Sequence, residues 1–190
     1  THTRCTIGGM VGNNACGSRA LGYGRSVDNV AALRVALADG TVLDLPAAGH
    51  EGLAALVDGH LSTVRTEFGR FGRQVSGYSF EHLLPENGRR LDRFLVGSEG
   101  TLAVVLEAEV ILVEDAPARA LAVLGFPSMA DAADAVPALL AHPLVACEGL
   151  GHRIVDVVRT HGGHVPDLPP GAGWLFAEVT GAGVPGVEER

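Results

Sequence analysis

Near its start the chain reads Cys5-Thr6-Ile7-Gly8-Gly9-Met10-Val11-Gly12-Asn13-Asn14-Ala15-Cys16-Gly17, and this run limits what can be built around it. Four glycines fall within ten residues, with two adjacent asparagines among them. The run has neither the period of an amphipathic helix nor the alternation of a strand. Gly and Asn tolerate positive φ, so the pattern predicts a backbone that turns repeatedly and lets a ligand approach the main chain. Bared N–H groups in such a chain form a concave nest for anionic oxygens, phosphate above all. A tight connection between strands is the plainer alternative, but it needs one or two glycines, not four. The run is not a P-loop, since no Gly-Lys-Ser/Thr occurs, and no Gly-x-Gly-x-x-Gly joins a strand to a helix as a Rossmann fingerprint requires.

Downstream, Leu33, Val35 and Leu37 alternate with smaller or polar residues, Asp39-Gly40 supplies a turn, and Thr41 to Leu45 follow. Two short runs around Asp-Gly predict a hairpin. Apolar residues at Leu53, Leu56, Val57, Leu61, Val64 and Phe68 predict one amphipathic helix from Glu51 onward. A Gly/Arg-rich loop then leads to Gly77-Tyr78 and to a short strand at Phe94-Leu95-Val96. The turn Gly97-Ser98-Glu99-Gly100-Thr101 comes next. The run from Leu102 to Val113 carries Glu107 and Glu109 on one face, which is therefore wet or at a sheet edge.

Ala116-Pro117 marks a boundary, giving domains at 1–116 and 117–190. Beyond it a strand at Leu121–Gly125 leads to a helix from Met129 to Ala141, capped at Ser128 and kinked or broken by Pro137. A strand near Leu144–Cys147, a helix near Arg153–Arg159 and a strand at Trp174–Val179 complete a β-α-β-α-β order. That order opens a ferredoxin-like α+β layer. The 190 residues start inside the most specialised loop and stop before the second sheet closes, so the chain reads as a fragment.

Composition removes whole classes of function. With 47% hydrophobic residues spread along the chain, general disorder is excluded. No uninterrupted apolar run reaches the roughly 18 residues of a membrane span. Net charge is −8 without a basic run, which argues against nucleic acid. Three cysteines, Cys5, Cys16 and Cys147, have no Cys-x-x-Cys spacing. They make neither a disulfide framework nor a zinc site and fit a reducing cytoplasm.

Three motifs in order carry a resemblance: Cys5 to Gly17 continuing into Leu21-Gly22-Tyr23-Gly24, the Asp39-Gly40-Thr41 strand with Gly77-Tyr78, and Gly97 to Leu102. The chain resembles the FAD-linked oxidases of the vanillyl-alcohol oxidase and p-cresol methylhydroxylase (PCMH) fold. That family includes D-lactate dehydrogenases, the glycolate oxidase D subunit and D-2-hydroxyglutarate dehydrogenase. The likeness covers about residues 3–115, and Ala118 onward resembles the start of the family's cap. Cys16 and Met10 depart from the commoner pattern and resemble longer members with iron–sulfur domains.

The resemblance implies an α+β chain: the second half of a PCMH-type FAD-binding domain, then the beginning of a cap. It implies FAD on Gly8, Gly9, Asn13, Asn14, Ala15, Gly17 and Gly24, with Gly97, Ser98, Glu99, Gly100 and Thr101 as a second cofactor-facing turn. Glu99 either accepts from a cofactor hydroxyl or caps its own loop. The implied activity is oxidation of a D-2-hydroxy acid by hydride transfer to flavin N5, with a cytochrome, quinone or Fe–S electron acceptor. Cytoplasmic residence is implied, with a membrane-peripheral place left open. No catalytic residue is nominated. The alternatives are a truncated module without catalysis and a flavin reductase of the cell-wall precursor pathway.

Other clusters have plainer readings. His152, His161 and His164 do not have the spacing of a helical two-His metal motif, and no metal is assigned. Ser98 lacks the first glycine of Gly-x-Ser-x-Gly, where Val96 stands. Arg70, Arg73, Arg89, Arg90 and Arg93 solvate a loop or attract a carboxylate. Cys16 and Cys147 read as small buried residues.

Overall fold

The Asp39-Gly40 turn seeds the first sheet: Gly40 takes φ +86°, and the Thr41 amide donates to the Asp39 carboxylate at 2.9 Å. In a computed structural model describing residues 3–46, 50–72 and 76–183, the elements follow in chain order. They are α1 (Ile7–Gly12), α2 (Ala20–Tyr23), β1 (Val30–Ala36), β2 (Val42–Leu45), α3 (Glu51–Gly59), α4 (Leu61–Glu67), α5 (Leu91–Leu95) and β3 (Val104–Val110). After these come β4 (Ala118–Phe126), α6 (Met129–Leu139), β5 (Ala146–Gly151), α7 (His152–Thr160) and β6 (Gly173–Gly181), with short 3-10 turns at Ser26–Asn29, Phe80–Leu83 and Pro85–Asn87. The fold is α+β, as the sequence implies.

The chain divides into two compact units, Thr1–Cys16 with Gly24–Leu112, and Gly17–Tyr23 with Val113–Arg190. In the first, an antiparallel sheet runs β2-β1-β3. Leu33 stands between Leu45 and Ala108, and Val35 between Leu43 and Val105. These pairs build the apolar face, with Val35 and Val57 almost wholly buried. Arg34 on the other face lies between Asp44 and Glu107 and is ion-paired to both. The Glu107 and Glu109 side of β3 is therefore wet and at the sheet edge, as expected.

Three elements differ from the sequence reading. The Gly/Asn run opens with a helix, α1, because the Thr6 hydroxyl accepts from the Gly9 amide and burial of Val11 anchors the turn. The predicted helix from Glu51 breaks at His60, whose backbone leaves the helical region (φ −130°, ψ 23°) after Gly59. Phe94-Leu95-Val96 is not a strand. Leu91, Phe94 and Leu95 are spaced i, i+3, i+4 and all are buried on α5, so the helical period prevails.

In the second unit the sheet order is β4-β6-β5, antiparallel throughout. Strands β4 and β5 are thus parallel to each other with β6 inserted between them, the split β-α-β arrangement. Helix α6 lies across all three strands, started by the Ser128 hydroxyl accepting from the Asp131 amide. Pro137 sits in its last turn. The segment Gly17–Tyr23 belongs here: the Gly22 amide donates to the Val145 carbonyl at 3.1 Å. A Cβ on Gly22 would stand 2.8 Å from Val145 Cα. Arg19 pairs with Glu178 of β6 at 2.8 Å.

No helix among the described residues is long and apolar enough to cross a membrane.

Candidate cofactor site

A cavity of about 630 Å³ lies in the first unit between α1 and the Gly97–Thr101 turn. Gly8, Gly9, Gly12 and Asn13 form one wall; Ser98, Glu99 and Gly100 form the other. Leu95, Ala103, Val104 and Val105 add an apolar side.

Hydrogen bonds stitch the two walls together. The Gly97 amide donates to the Val11 carbonyl and the Glu99 amide to the Gly12 carbonyl, both at 2.9 Å. The last carbonyls of α1, which a helix cannot satisfy from within, are thus taken up by the turn. The turn is shaped by three left-handed residues, Gly97 (φ +87°), Glu99 (+53°) and Gly100 (+74°). The Thr101 hydroxyl donates to the Ser98 carbonyl. Because that proton is used, the Tyr78 hydroxyl, 2.9 Å away, donates to Thr101 Oγ1.

The α1 wall works differently from a phosphate nest. The amides of Met10, Asn13, Asn14 and Ala15 donate to the carbonyls of Thr6, Gly9, Val11 and Met10, and that of Gly9 to Thr6 Oγ1. They are not bared. The wall instead offers a helix face without side chains: Gly8 and Gly12, four residues apart, share one face. A Cβ on either would meet nothing within 4 Å. Glu99 is the one ionisable residue among the described lining, and none is a cation. A flat or hydroxyl-bearing uncharged group suits such walls better than a pyrophosphate.

The sequence-nominated residues therefore separate. Gly8, Gly9, Asn13, Ser98, Glu99 and Gly100 line the cavity. Asn14, Gly97 and Thr101 are neighbours of lining residues but do not line it themselves. Ala15 turns away, its carbonyl accepting from the Ser26 amide and hydroxyl. Gly17 belongs to the second unit. Gly24 (φ +78°) packs on Asp28, where a Cβ would come within 2.8 Å of that side chain. The sequence reading passed over Gly12 and the apolar side at Ala103–Val105. The four-residue spacing from Gly8 was the signal for Gly12.

The charged groups around the site are mostly engaged in holding the fold. Arg70, Arg89 and Arg90 pair with Glu67, Asp58 and Asp92, and none of them lines this cavity. Arg73 lies outside the described residues. Asp92 is fully buried. Burial pushes the Asp28 carboxyl up, but bonds from the Arg25 amide and guanidinium outweigh it, and Asp28 ends below its ordinary value. Hydrogen bonds from the Arg65 guanidinium draw Glu86 down to about 2. Burial holds His82 below its ordinary value, Arg93 and Arg25 push the same way, and Glu81 and Asp28 oppose. Burial raises the Cys147 thiol. His152 and His161 each turn Nδ1 to a backbone carbonyl, of Ala172 and Val157.

Comparison with known proteins places these features in context. Residues 1–46 match the family described as FAD binding domain. The chain is 26% identical over 178 residues to a D-2-hydroxyglutarate dehydrogenase of Pantoea ananatis, covering 84% of this chain and 17% of that protein. It is 31% identical over 153 residues to a D-lactate dehydrogenase of Archaeoglobus fulgidus, covering 80% and 27%. Among solved structures, an alkyldihydroxyacetonephosphate synthase shares the fold at a TM-score of 0.56 and 15% identity, over 92% of this chain and 28% of that one. The chain thus spans between about a sixth and a little over a quarter of the length of these two relatives.

Proposed function

We propose, taking as premise that this chain belongs to the FAD-binding-domain family of FAD-linked oxidoreductases, that it is one part of a dehydrogenase acting on a D-2-hydroxy acid. Residues 1–116 are the later part of the PCMH-type FAD-binding domain and residues 117–190 the beginning of the cap. The observation that carries the reading is the position of the cavity: its bare helical wall, α1, lies inside the 46 matched residues. The residues present fit the flat, uncharged part of a flavin nucleotide: beside Gly8 and Gly12 a Cβ would meet nothing within 4 Å, which leaves that side of the cavity open to a planar group.

In this reading Gly8 and Gly12, whose Cβ positions are open, admit the cofactor close to the backbone. Asn13 and Ser98 offer neutral polar groups, and Glu99 accepts from a hydroxyl. Its carboxylate makes no hydrogen bond among the described residues, so nothing favours the alternative that it caps its own loop. Val104 and Val105 give the cavity an apolar side. Acceptance of a hydride from the hydroxy acid's C2 is the chemistry a bound flavin supplies; the chain's own share is positioning and electrostatics. The electron acceptor is a cytochrome, a quinone or an Fe–S partner, and the setting is cytoplasmic.

The test uses the full-length protein that carries this segment. Purified, it should be yellow, and D-2-hydroxyglutarate or D-lactate should bleach it. Folded but colourless protein, or bound flavin that no D-2-hydroxy acid reduces, overturns the reading. The 190-residue chain alone should bind FAD weakly, because well-formed sites bury roughly 70–90% of a ligand this large.

A further inference from the structure

We propose that Asn14 is a positioning residue that locks both walls of the cavity together and touches no cofactor; this rests on the cavity's assignment to FAD. Asn14 is 3% exposed and is absent from the cavity lining. Its backbone is left-handed at φ +45°, a conformation that among non-glycine residues Asn tolerates best. The side chain reaches the 3-10 turn Ser26–Asn29 that precedes β1. There Oδ1 accepts from the Val27 amide at 3.0 Å, and Val27 is itself wholly buried.

Three segments meet at this residue. The Val11 carbonyl at the end of α1 accepts from the Asn14 amide at 3.2 Å and from the Gly97 amide at 2.9 Å. Gly97 packs so closely that a Cβ there would lie 3.0 Å from Asn14 Cβ. The 3-10 turn before β1 is held through Val27. Asn14 therefore sets where the Gly97–Thr101 turn stands relative to α1, and so the width of the cavity between them.

Two substitutions in the full 190-residue chain separate positioning from contact. Asn14→Gly keeps the left-handed backbone and deletes the acceptor. Asn14→Asp keeps an oxygen acceptor in either protonation state and deletes the amide donor. Hydrogen exchange at the Val27 amide, the resonances of the Gly97 and Glu99 amides, and titration with FAD are the readouts. Asn14→Gly should speed Val27 exchange by about tenfold or more, as for a buried amide left without its acceptor. It should also shift both turn resonances and weaken FAD binding; Asn14→Asp should restore all three toward the parent chain. The proposal is overturned if Val27 exchange is unchanged in Asn14→Gly. It is also overturned if Asn14→Asp keeps Val27 protected yet loses FAD as fully as Asn14→Gly. Where the 190-residue chain binds FAD too weakly to titrate, as expected of it alone, flavin retention is compared in the full-length protein carrying the same substitutions, while Val27 exchange and the turn resonances still decide the role of Asn14.

Discussion

Gly8 and Gly12 on one wall of the cavity keep helical backbone and leave open space where a Cβ would stand. Gly97 and Gly100, in the turn that faces that wall, take φ +87° and +74°. The first pair is there for what it leaves out of the cavity; the second is there for a shape that L-residues rarely adopt. The same residue type thus sits on the ligand side of the argument in α1 and on the folding side in the turn. Substitution should tell the two apart with opposite signs.

Gly97→Ala is the largest expected effect. The new methyl meets Cβ of the buried Asn14 at 3.0 Å, and the backbone must hold a left-handed φ with a side chain. Together these cost about 2–4 kcal/mol, to be read from denaturant unfolding of the 190-residue chain. A loss under about 0.5 kcal/mol, the range of an ordinary surface change, would mean that the turn does not need its conformation. Gly12→Ala sharpens the contrast from the other side. Its methyl points into open space, and alanine favours a helix over glycine by up to about 1 kcal/mol, so stability should hold or rise. Flavin retention by the full-length protein should nonetheless fall, by about tenfold. Loss of stability in Gly12→Ala, or unchanged flavin retention, would break the comparison.

Tyr78→Phe comes next. The turn leans on a side-chain chain of bonds, Tyr78 to Thr101 to the Ser98 carbonyl, to which the amides of α1 do not contribute. The phenyl ring keeps its place 6.1 Å from Phe94, so only the hydroxyl's hydrogen bond is lost, about 0.5–1.5 kcal/mol. Amide exchange should quicken at Thr101 and stay unchanged at Met10 and Asn13.

The same contrast explains which parts were legible in the sequence. The turn at Gly97–Thr101 and the hairpin at Asp39-Gly40 could be read because glycine there answers a local backbone demand. The order of strands and helices after Pro117 could be read from period and caps. Helix α1 could not, since a six-residue helix with three glycines has no propensity to show. It exists through the Thr6 cap, the burial of Val11 and the turn docked on its last carbonyls. Phe94–Val96 misled because three apolar residues fit either period, though Leu91 offered the helical spacing. Nothing local announced that Gly17–Tyr23 joins the second unit, since Arg19 and Glu178 are 159 residues apart. Asn14 was nominated as a cofactor contact; it lies next to the cavity but outside its lining, and its partner, the Val27 amide, carries no sequence signal.

Acid gives the subtlest expected separation of the two walls. Helix α5, which leads directly into the Gly97–Thr101 turn, packs on the 3-10 turn Phe80–Leu83, and the Arg90 amide donates to the His82 carbonyl at 2.8 Å. Burial keeps His82 below its ordinary value, and its Nε2 is shut off from solvent without a hydrogen-bond partner among the described residues. The folded state therefore favours the neutral imidazole. Its stabilising contribution is complete above the unfolded value of 6.5 and is lost as pH falls from there through the folded value, because the unfolded chain takes up the proton first. Exchange at Ser98 to Thr101 should quicken across that window, while Met10 and Asn13 on α1 change less. His82→Gln should flatten the response. If both walls loosen equally, or His82→Gln leaves the pH dependence intact, acid acts elsewhere, and the turn's dependence on its surroundings is no greater than that of the helix it faces.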